Sequence, residues 1–207
     1  MPEAVALDKF TIILFALRWL HFIFGITWIG LLYFFNFVNG PFTKTLDAAT
    51  KKIVVPQLMP RALWWFRWGA MITVITGWAY IIGKLQLNGT GIEGLFNSTW
   101  GQWISTGALL GTIMWFNVWF IIWPAQKKLI TWTKKGEAPP EMAALAKKAM
   151  MASRLNTYLS FPMLFCMGAA SHLPAYNAVL VISAFAIGFI LVWHFINKVA
   201  VKVGADF

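Results

Sequence analysis

Apolar positions in this chain come in long, nearly unbroken runs, without the alternation of a half-buried strand or the narrow stripe of a soluble amphipathic helix. Five runs reach the length that a bilayer demands of a helix, about 20 predominantly apolar residues. The first covers about Phe10 to Val38 and is closed by Asn36, Asn39, Gly40 and Pro41. The second starts after Pro60 and covers Arg61 to Gly83, and the third covers about Trp103 to Trp123 and stops at Pro124. The fourth covers about Met150 to Ser171 and the fifth about Tyr176 to Val199. The pattern predicts an all-α polytopic membrane bundle of five transmembrane helices. No internal repeat or low-complexity segment divides it, so residues 1–207 read as one transmembrane domain.

Composition agrees: 59% of the residues are hydrophobic and 12% charged, which is unlike a soluble domain. The net charge of +10 would suggest nucleic acid in a soluble protein, but here it reads as topology. Twelve basic residues lie in the loop holding Lys44, Lys51, Lys52 and Arg61, the loop holding Lys127 to Lys148, and the tail with Lys198 and Lys202; only Lys9 and Lys84 face the other way. The positive-inside bias therefore puts the N-terminus outside and the C-terminus in the cytoplasm. Met1 to Lys9 lacks a basic n-region and a small-residue cleavage site, so no cleaved signal peptide is expected. The outer loop from Lys84 to Gln102, rich in Gly, Asn and Thr, is expected to be irregular. Its triplets Asn88-Gly89-Thr90 and Asn97-Ser98-Thr99 match a glycosylation pattern that arises often by chance. Pro139-Pro140 followed by E-M-A-A-L-A-K-K reads as the start of a cytoplasmic helix feeding the fourth span.

Chemistry has few places to sit. All three histidines, His21, His172 and His194, lie in or at the ends of spans. Ionisable groups in hydrocarbon are costly and tend to mark function, although a lone histidine is more often a hydrogen-bonded structural residue. Arg18, His21, Gly25 and Trp28 share one helix face. Arg18 snorkelling to the outer surface leaves His21 about one turn deeper, roughly 5 Å by helix rise. His172 closes an outward-running span at S-H-L-P and matches that height, whereas His194, near Lys198, lies toward the cytoplasm. Gly25 follows His21 and Gly168 precedes His172 by one turn, each leaving room for a flat ligand edge. The sharpest expectation is a b-type heme with His21 and His172 as axial ligands and Arg18 pairing with a propionate. A His21–His194 pair stays open.

The remaining polar positions suggest packing. Asn117, Arg154, Asn156 and Thr157 can join helices, and Gly107-x-x-x-Gly111 marks close approach. Arg67 could meet a second ligand or a lipid phosphate, and Cys166, the one cysteine, reads as a small core residue. No C-x-x-C-H, glycine-rich phosphate loop, Ser/His/Asp set or paired membrane carboxylates is present.

Several segments resemble the membrane-bound, cytochrome-c-linked urate oxidases: W-L-H-F-I-F-G-I-T-W-I-G, L-W-W-F-R-W-G-A, G-T-I-M-W-F-N-V-W-F-I-I-W-P-A-Q-K-K, R-L-N-T-Y-L-S-F-P-M-L-F-C-M-G-A-A-S-H-L-P and V-W-H-F-I-N. A shorter form of the first resembles the opening helix of the heme-binding membrane protoporphyrinogen oxidases. The resemblance implies that His21, His172 and His194 occupy family positions. It also implies a bacterial inner-membrane location and electron delivery toward a c-type cytochrome. The chain departs from the urate oxidases at Gly69, where they carry an acid, and at Leu155, where they carry a histidine. It looks like a short variant without their further spans and cytochrome c domain. The expected function is a heme-b membrane protein passing electrons. A non-catalytic subunit of a larger membrane complex is the alternative, and a methionine- and histidine-based copper carrier ranks last.

Overall fold

The structure, a computed structural model, describes residues 8–203, and every regular element among them is helical. The reading of the leader segment falls almost wholly on residues outside these. Helix α1 (Lys9–Thr45) and helix α2 (Ala48–Leu87) form a long hairpin. A single-turn helix, α3 (Gly94–Asn97), leads into α4 (Thr99–Lys135). Helices α5 (Met142–His172) and α6 (Ala178–Val199) complete the bundle. α1 lies along α2 and α4 along α5; α6 covers another side of α5, and α2 closes the bundle against α4.

Four of these helices, α1, α2, α4 and α6, are long and apolar enough to cross a membrane. They present large apolar side chains outward, such as Phe15, Ile26, Ile182 and Ile190, as a helix in contact with lipid does. The fourth expected span lies in α5, which is 31 residues long but more polar. Its place between α4 and α6 explains the difference: Asn156, Thr157 and Ser160 are fully buried, so these groups meet protein.

The helices run past the limits expected from hydropathy. α1 continues beyond Asn36, Gly40 and Pro41, and α4 continues beyond Pro124. Both do so through a π turn, Phe34–Asn39 and Asn117–Ile122, each ending two residues before the proline. Proline removes an N–H and crowds the carbonyl one turn back; a wider turn relieves both, so the helix bends its ladder instead of ending. α2 likewise carries Pro56 and Pro60 inside it and starts at an Asp47 cap. The outer loop is also shorter than expected. Gly89 and Gly91, both at positive φ, turn the chain, and Ser98 caps α4 by accepting from the Gly101 N–H. The Asn97-Ser98-Thr99 triplet is thus a helix start.

The main core joins both hairpins: Trp28 and Leu32 of α1, Leu63 and Phe66 of α2, Met114 and Val118 of α4. A second cluster around Trp103, Ala108 and Cys166 sits nearer the α2–α4 turn. Between α1 and α2 the backbones pass closely at Gly69, where a Cβ would come within 3.3 Å of Phe24 O and Trp28 N. Any side chain at this position would push the two backbones apart by a few tenths of an ångström.

Candidate functional site

A cavity of about 440 Å³ opens between α1, α2, α4 and α5. Its volume is that of a small-molecule or cofactor site. Arg18, His21 and Gly25 line it, as the sequence expectation for α1 requires. His172, Gly168 and His194 are not among its lining residues; Ser171, beside His172, is. The structure therefore brings together the α1 half of the expected site and leaves the other three positions outside its wall.

His21 is positioned by α2. Its Nδ1 lies 2.8 Å from the carbonyl oxygen of Thr73. A carbonyl only accepts, so Nδ1 carries the hydrogen and Nε2 is left bare for a ligand. The ring fits only because position 77 is glycine: a Cβ there would lie 2.8 Å from His21 Cε1 and 2.9 Å from Nδ1. Thr73 and Gly77 both line the cavity, and neither was singled out from the sequence. A signal was present, because Gly69, Thr73 and Gly77 recur every fourth residue and give α2 one stripe of small side chains.

One end of the cavity is cationic. The exposed Arg18 guanidinium lies 5.5 Å from the Phe22 ring centre and 6.0 Å from that of Tyr80. Lys84 Nζ lies 4.3 Å from the ring centre of Trp100, itself a lining residue. Neither cation is paired with an acid among the described residues, where Lys135–Glu137 is the one ion pair. Deeper in, Trp28 is 1% exposed, and its indole N–H has no hydrogen-bond partner. Gly111, expected to pack, has nothing within 4 Å of its would-be Cβ and opens onto the cavity, while Gly107 does pack, against Cys166 and Met167.

The other histidines are exposed. His172 donates from Nδ1 to Gly168 O at 2.9 Å, which leaves its Nε2 bare as well, and the Cβ position of Gly168 is open. His194 contacts Phe195 edge-on at the far end of α6. Of the expected interhelical contacts, that between Asn117 and Asn156 appears below the cavity: Asn117 Nδ2 donates to Asn156 Oδ1 at 2.8 Å, and Asn156 Nδ2 donates to Met114 O at 2.9 Å, whereas Thr157 Oγ1 donates to Ser153 O within α5.

Comparison with known families gives one finding. The family model for the urate oxidase N-terminal region matches residues 84–204. That stretch holds His172, His194 and the α4 and α5 walls of the cavity, whereas His21, Thr73 and Gly77 precede it. No curated protein and no solved structure matches the chain.

Proposed function

The chain belongs to the urate oxidase N-terminal family, and from that premise we propose that it is a heme-b-binding protein of the bacterial inner membrane that passes electrons. It would act as a membrane oxidoreductase or as an electron-transfer subunit, with a c-type cytochrome as partner. In this reading α5 crosses the membrane with the other four helices, the N-terminus outside and the C-terminus in the cytoplasm, as the distribution of basic residues favours.

The observation that carries the proposal is His21 with Nδ1 engaged by Thr73 O and Nε2 bare at the wall of an apolar cavity. A backbone carbonyl holding the far nitrogen fixes the tautomer and ring direction that an axial ligand needs. Gly25 and Gly111 keep the walls flat, and Arg18 with Lys84 supplies positive charge at one end for carboxylates. Bound heme would supply a one-electron couple whose potential depends on its axial ligands and burial. His172 is the second ligand in this proposal: its Nε2 is bare, and its neighbour Ser171 already lines the cavity. Gly168 leaves open space one turn away. A second reading pairs His21 with a thioether, because Met163 and Met167 line the cavity and His172 does not.

A reduced-minus-oxidised absorption spectrum of the purified, heme-replete protein tests this. The expected result is a low-spin b-type signal lost or shifted in His21→Ala and in His172→Ala and intact in His194→Ala. Loss in His21→Ala with retention in His172→Ala, together with a shift in Met163→Leu or Met167→Leu, would favour the thioether pair. No b-type band at all would overturn the proposal and leave a non-catalytic subunit of a larger membrane complex.

A further inference from the structure

Arg67 lies where α2 meets α4, among three tryptophans. Its guanidinium carbon is 3.9 Å from the ring centre of Trp123, 5.4 Å from Trp119 and 5.9 Å from Trp68. Trp119 is tied to the same turn of α2 by its indole N–H, which donates to Arg67 O at 3.2 Å. The rings attract the cation through their faces but bring no negative charge to it. Arg67 Nε is buried and has no hydrogen-bond partner. Among the described residues no acid is in reach to neutralise it: Asp8, Asp47, Glu93, Glu137 and Glu141 are all exposed and sit in caps or loops.

The surroundings say what kind of anion would fit. Trp64, Trp65 and Trp68 are exposed on α2, the side-chain habit of a membrane–water boundary. Arg61, six residues toward the basic end, is exposed too. On α4, Trp119, Trp123 and Lys127 follow one another at one-turn spacing on a single face, and Lys127 is exposed. An unneutralised guanidinium and a ring platform thus meet where α2 packs on α4, with an exposed ammonium one turn beyond on α4, at the end where basic residues accumulate. We propose that this surface binds the phosphate-bearing headgroup of an anionic phospholipid, with Arg67 as its primary contact. Arg suits this role because its planar fork can engage two phosphate oxygens while one face stays stacked on Trp123. The lipid would clamp α2 to α4 at the opposite end of the bundle from the cavity's cationic mouth, independently of any heme.

The test is native mass spectrometry of the full chain in neutral detergent, titrated with phosphatidylglycerol, with phosphatidylcholine, or with inorganic phosphate. Phosphatidylglycerol is expected to be retained roughly tenfold or more tightly than phosphatidylcholine, and that preference is expected to disappear in Arg67→Gln. Arg67→Lys should keep part of it, since charge remains and the fork is lost. Lys127→Ala, at an exposed position that cannot endanger folding, should reduce it by a smaller factor. Equal retention of the two lipids overturns the proposal, as does an undiminished preference in a folded Arg67→Gln or Arg67→Lys protein together with Lys127→Ala. Inorganic phosphate binding at the same site with equal strength would also overturn it, by reassigning the site to a soluble anion.

Discussion

Two polar regions of this bundle look alike in the sequence and differ in structure. Below the cavity, Asn117 and Asn156 satisfy each other and Met114 O, with Asn156 and Thr157 at 0% exposure. Around His21, by contrast, an imidazole nitrogen is left bare, the Trp28 indole N–H has no partner, and two cations have no counter-charge. The first region spends its polar groups on joining helices. The second withholds them, around a space of about 440 Å³. Burial of polar groups alone therefore does not mark a site; unmet bonding capacity beside open volume does.

That contrast can be broken at Gly77. Gly77→Ala should force the His21 ring off Thr73 O, at about 1–3 kcal/mol of stability for the overpacking. Ligand binding in the cavity should fall about 10- to 100-fold, the usual effect of disturbing the support of a metal-ligating histidine. Titration of heme into the purified variant checks it, and unchanged affinity would show that His21 is structural. Asn156→Ala should do the reverse. Leaving Asn117 Nδ2 unpartnered should cost about 1–3 kcal/mol in a thermal or denaturant melt, with heme affinity unchanged. Gly111→Ala sharpens the comparison further. Its new methyl meets nothing within 4 Å, so stability should hold or rise by up to about 1 kcal/mol from helix propensity, while ligand affinity drops because the cavity is narrower.

The smallest effect belongs to neither region. Asp47 caps α2: it accepts from the Thr50 hydroxyl and from the N–H groups of Thr50 and Ala49. These bonds, that with the Thr50 side chain foremost, favour the carboxylate and hold its pKa below the ordinary 3.8. The stabilisation is complete above 3.8 and is lost as pH falls through the lowered folded value. Acid titration of helicity should show slight fraying that Asp47→Asn moves or removes, while the cavity stays unaffected.

Much of the fold was legible. Long apolar runs at Phe10 to Val38 or Tyr176 to Val199 can only be helices if they meet lipid, since no other single segment satisfies its own backbone there. Helix ends were less legible. Pro41 and Pro124 read as stops, and only the π turns ahead of them let the chain continue. In the site, Arg18, His21 and Gly25 could be read together because helical spacing within one element is fixed. Thr73, Gly77 and Lys84 could not be tied to His21, because no local rule says which face of α2 meets which face of α1.

By itself the sequence determined the helical class, the basic end of the bundle and the polar face of α1, all consequences of composition and of a 3.6-residue period. Tertiary structure alone decided that Thr73 holds His21, that Gly111 faces a void while Gly107 packs, and that Arg67 lies among three tryptophans of two helices. Those facts depend on the rotation and depth at which helices meet, and that is set by the fit of many side chains at once.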